Sequence, residues 1–65
     1  MQEFLKPLLD GKPLSAEDAR RAMDRLMSGT ATAGQIGAFL AALRVRGETE
    51  EELAGFAQEI GRAHV

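Results

Sequence analysis

The chain has 65 residues, no cysteine, and a net charge of −2 from eight Lys+Arg against ten Asp+Glu. That length allows one small domain over residues 1–65, and the lack of cysteine excludes a disulfide framework and any cysteine-type zinc site. With no basic stripe and no aromatic interleaving, the chain also lacks the cationic footprint that nucleic-acid binding requires.

A core of this size rarely supplies more than roughly 3–5 kcal/mol without a staple. Contact with more protein, a twin subunit or a further domain, is therefore expected. The uncharged run from Ser28 to Leu43 is too short and too rich in glycine and threonine to cross a bilayer. No charged-then-apolar segment at the N-terminus reads as a signal peptide, so no membrane association is expected and cytoplasm is the expected compartment.

Four helices are predicted, over about 3–9, 16–28, 33–46 and 50–62, giving an all-α bundle with no strand signal and no internal repeat. In the first, Phe4, Leu5, Leu8 and Leu9 suit one helix face, while Pro7 opposes it by removing a backbone donor. Asp10-Gly11-Lys12-Pro13 then reads as a turn. The second helix opens at Ser15, an N-cap followed by Glu17 and Asp18 at the positive end of the helix dipole. Ala19, Ala22, Met23 and Leu26 make its apolar stripe, extended by Met27, and Gly29 suits the left-handed stop. The third opens on the capping box Thr32-Ala33-Gly34-Gln35 and ends at Gly47. The fourth opens on a second box, Thr49-Glu50-Glu51-Glu52, with Leu53, Phe56, Ala57 and Ile60 as its apolar stripe. Connections this short predict that consecutive helices pack antiparallel or at steep angles.

The third helix has two unlike faces. Ile36, Phe39, Leu40 and Leu43 cluster on one side as a candidate core, and Gly34, Gly37, Ala38, Ala41 and Val45 lie on the other. A helix on the surface of a soluble protein normally turns a polar face outward, and this one has none. Either the small residues let helices of this bundle approach closely, or they form a docking face for a helix from another chain or domain. Each glycine costs about 1 kcal/mol against alanine inside a helix, so a packing reason is required.

Catalytic, cofactor-binding and metal-ligating constellations are not found. His64 is the penultimate residue, with no cysteine beside it, and reads as a solvated tail residue. Glu50, Glu51 and Glu52 diverge by about 100° each around a helix, which favours a dipole-capping role over a metal or acid–base cluster. Gly29 and Gly34 have the spacing that begins a phosphate loop, but Gln35-Ile36 stand where Lys-Ser/Thr is required. Arg44 and Arg46 suit the dipole at a helix C-terminus. The helix after Thr32 offers alanine and glycine where a DNA-recognition helix needs base-reading polar groups.

Leu14-Ser15, Met27-Ser28-Gly29, Ala31-Thr32, Gln35-Ile36 and Ala38-Phe39-Leu40 follow one another in a familiar order. Ala42-Leu43-Arg44, Gly47-Glu48-Thr49 and Glu51-Glu52-Leu53-Ala54 continue it, so that roughly residues 8 to 60 are involved. On these motifs the chain resembles the N-terminal helical domain of the anthranilate phosphoribosyltransferases. Pyrimidine nucleoside phosphorylases share a similar helical domain, but the run from Ala38 to Arg44 reads closer to the transferases.

The resemblance implies part of a two-domain enzyme of tryptophan biosynthesis. Such enzymes join anthranilate to the ribose of phosphoribosyl pyrophosphate (PRPP), with inversion at the anomeric carbon and magnesium on the pyrophosphate. The family's phosphate loop and acidic magnesium motif belong to an α/β catalytic domain, and neither motif occurs here. The sequence stops at Val65, before the crossing to that domain, so an excised or truncated domain, inert alone, is expected. In the family the helical domain lines the cleft, closes by a hinge motion and supplies much of a homodimer interface through helices matching the first and third. The expected partners are a second copy and the absent α/β domain, and no cofactor is expected on this chain itself. The rival reading, from another class, is a free-standing helical adaptor whose Gly/Ala face binds a partner helix.

Overall fold

The computed structural model describes residues 1–63; His64, read above as a tail residue, and Val65 lie outside the described residues. The described residues form α1 (Gln2–Leu9), α2 (Ala16–Ser28), α3 (Ala33–Arg46) and α4 (Glu50–Ala63), with no strand among them. The all-α reading holds. The predicted bounds hold as well, apart from one added residue at the start of α1 and one at the end of α4.

Local chemistry explains the helix ends. The Ser15 hydroxyl accepts the Asp18 N–H at 3.1 Å, and Thr32 and Gln35 exchange both bonds of the capping box at 3.1 and 3.0 Å. Thr49 and Glu52 do the same for α4 at 2.9 and 3.1 Å. Pro7 lies inside α1, yet the helix forms, because burial of Phe4, Leu5 and Leu8 anchors its two turns. Beyond it the Lys12 N–H donates to the Pro7 carbonyl and the Gly11 N–H to the Leu8 carbonyl, at 2.8 and 2.9 Å. This paired closure requires the left-handed residue Gly11, at φ 78°.

The helices do not pair as sequence neighbours, contrary to the expectation from the short loops. α2 makes its main backbone approach to α4, and α1 to α3, so the packing pairs interleave along the chain. Gly55 permits the α2–α4 crossing. A Cβ there would lie 2.8 Å from the Ala19 Cβ, 3.0 Å from the Arg20 N, and harder still against the Ala16 carbonyl oxygen. Two of these three neighbours are backbone atoms, which no rotamer change can move aside.

The core gathers Phe4, Leu5 and Leu8 of α1, Ala19 and Ala22 of α2, Phe39 and Leu43 of α3, and Phe56 of α4, with Met1 and Leu14 beside them. Phe39 and Phe56 meet edge to face, ring centres 6.2 Å apart and planes at 70°. Phe4 lies beneath the guanidinium groups of Arg21 and Arg25, at 5.6 and 5.7 Å from its ring centre. Arg25 also pairs with Glu3 at 3.1 Å, which fastens α1 to α2.

Two predicted core faces are corrected. Leu40, expected inside, is 55% exposed, because α3 turns Phe39 and Leu43 inward and only half-buries Ile36. On α4 the expected stripe is mostly outward: Leu53, Ala57 and Ile60 are exposed, and the inner side carries Glu52, Gly55, Phe56 and Glu59. The inner face is set by the close approach at Gly55 and by the partners of its glutamates. Glu59 faces Arg20 at 3.3 Å and Arg62 at 3.5 Å.

Candidate docking face

The outward side of α3 collects the small residues singled out in the sequence. Gly34, Gly37, Ala41 and Val45 are exposed and Ala38 is half-buried, where it packs against the core. The displaced Leu40 joins them, and Val45 is 89% exposed. A Cβ added at Gly37 would meet nothing within 4 Å, and one at Gly34 would meet only the Thr32 hydroxyl, at 3.9 Å. No helix of this bundle therefore needs these two glycines to be small. The position where internal packing demands a glycine is Gly55, which sequence periodicity did not single out.

Beside this face, Leu9 and Gly11 at the end of α1 and Ala38, Ala41, Ala42 and Val45 of α3 line a shallow groove of about 540 Å3. Leu9 is 69% exposed there. The wall is apolar apart from Arg46 at its end. Apolar side chains on two helices, with small residues between them, form a continuous exposed apolar surface.

The remaining candidates resolve into structural roles. Glu50 and Glu51 are exposed in the first turn of α4, as a dipole-capping role requires. Glu52 does more. Its side chain is fully buried and accepts the Leu14 N–H at 2.7 Å, the Thr49 N–H at 2.9 Å and the Arg46 guanidinium at 2.5 Å. Burial pushes its carboxyl up, but Arg46 and the two backbone donors prevail and hold it below the usual carboxylate range. Arg46 is thus a half-buried ion-pair partner, whereas Arg44 is exposed in the last turn of α3. Gly29 takes φ 78° as the stop of α2, and the next segment leads to the Thr32 cap without a lysine. Among the described residues no group of three or more histidine, aspartate or glutamate side chains is placed to hold a metal ion.

Comparison with known proteins follows the helices closely. Residues 2–62 match the family described as "Glycosyl transferase family, helical bundle domain", over all four elements. The chain belongs to this helical bundle family. The bundle is 60% identical over 55 residues to an anthranilate phosphoribosyltransferase of Agrobacterium fabrum, covering 78% of this chain and 16% of that protein. It is 57% identical over 53 residues to one of Streptomyces avermitilis (82% and 15%) and 51% over 57 residues to one of Dehalococcoides mccartyi (88% and 17%). The bundle therefore spans about one sixth of the length of these curated relatives. No solved structure matches it. The family implied by the motifs from Leu14 to Ala54 is the family found.

Proposed function

We propose that this chain serves as the helical bundle domain of an anthranilate phosphoribosyltransferase, acting in tryptophan biosynthesis in the cytoplasm. The observation that carries the reading is the identity of 51–60% to three proteins that all bear this name. Those names also favour it over the nucleoside phosphorylase reading. No described helix is long and apolar enough to cross a membrane.

In this reading the chain supplies no reacting group. It serves a reaction between anthranilate and PRPP that is completed on an α/β domain, where magnesium accompanies the pyrophosphate. The bundle positions that domain and closes over the cleft, so that proximity and exclusion of water act on the two substrates. The outward face of α3, with Leu9 of α1, meets a second copy across a homodimer. Support for that role comes from the exposure of Val45, Leu40 and Leu9 and from the absence of any internal neighbour to Gly37.

A chimera tests the proposal. Residues 2–62 replace the matching segment of the Agrobacterium fabrum enzyme, and consumption of anthranilate with PRPP is followed by loss of its fluorescence. Turnover within about tenfold of the parent, a loss of no more than about 1.4 kcal/mol in barrier, is expected. A folded, soluble chimera with no turnover would overturn the assignment.

A further inference from the structure

We draw no further inference here: the strongest candidate, the outward apolar stripe that Leu53, Ala57 and Ile60 make on α4, carries nothing because no feature of the structure shows what covers it.

Discussion

The Glu52 carboxylate accepts the backbone N–H of Leu14 at 2.7 Å, joining the start of α4 to the segment before α2 across 38 positions of chain. The same carboxylate holds Arg46 at the end of α3. Truncation to Glu52→Ala leaves the Arg46 charge and two backbone donors without their acceptor. Breaking a buried pair in this way costs about 3–5 kcal/mol, comparable to the whole stability of a domain this small. Far-UV circular dichroism of the variant should show a largely unfolded chain at 25 °C. Glu52→Gln keeps one acceptor oxygen and should lose about 1–3 kcal/mol in urea unfolding.

Acid should remove the contribution of this carboxylate. Its pKa is depressed in the folded state, so the stabilisation is fully present above the unfolded value, about 4.3, and is lost as pH falls through the lower folded value. Urea unfolding from pH 7 down to pH 2.5 measures this. The stability gap between the wild type and Glu52→Gln should stay constant down to about pH 5 and narrow below pH 4. A gap that does not change with pH would show that the carboxylate carries no charge-dependent stability.

The same substitution should have opposite signs at two glycines. At Gly55 a methyl group meets the Ala16 carbonyl and the Arg20 N, so Gly55→Ala should destabilise by about 1–3 kcal/mol or more, as overpacking does. At Gly37 the added methyl meets nothing within 4 Å, and Gly37→Ala should stabilise by up to about 1 kcal/mol through helix propensity. Thermal melts of the two variants compare these directly.

The α3 face can be charged without touching the core. Ala41→Lys with Val45→Lys places cations towards the helix C-terminus, where the dipole accepts them, and helicity should be unchanged. Sedimentation of the wild type should show a concentration-dependent dimer, and the double variant should remain monomeric. Gly37→Leu should likewise weaken assembly more than folding. Loss of helicity in the lysine variant, or a wild type that stays monomeric to millimolar concentration, would remove the basis for a homodimer on this face.

Helix bounds were legible because the signals that set them are local. Ser15, Thr32 and Thr49 act within three residues of themselves, and Gly29 and Gly47 both take positive φ at their helix ends. Of the small residues on α3, four of the five are exposed. The inner face of α4 was not legible. Periodicity ranks residues by polarity, so it places a leucine inward before a glutamate. Here Glu52 is buried because its partners, Leu14 and Arg46, come from other parts of the chain. Leu40 went astray for a related reason. With apolar residues all round α3, polarity does not choose between its sides, and the choice falls to contacts with Phe56 and α1.

The interleaving of α1 with α3 and α2 with α4 bears on how the chain can be divided. A protease cut between Gly29 and Thr30, both exposed, would yield two fragments of two helices each. Neither fragment would hold a matched pair, since each helix has its main partner in the other fragment. Neither half is then an autonomous folding unit, and isolated fragments of this size should be mostly coil. Mixing them would turn folding into a bimolecular reaction, with helix content rising as both concentrations rise together. A bundle of consecutive hairpins would behave in the opposite way, each half keeping its own partner after the cut.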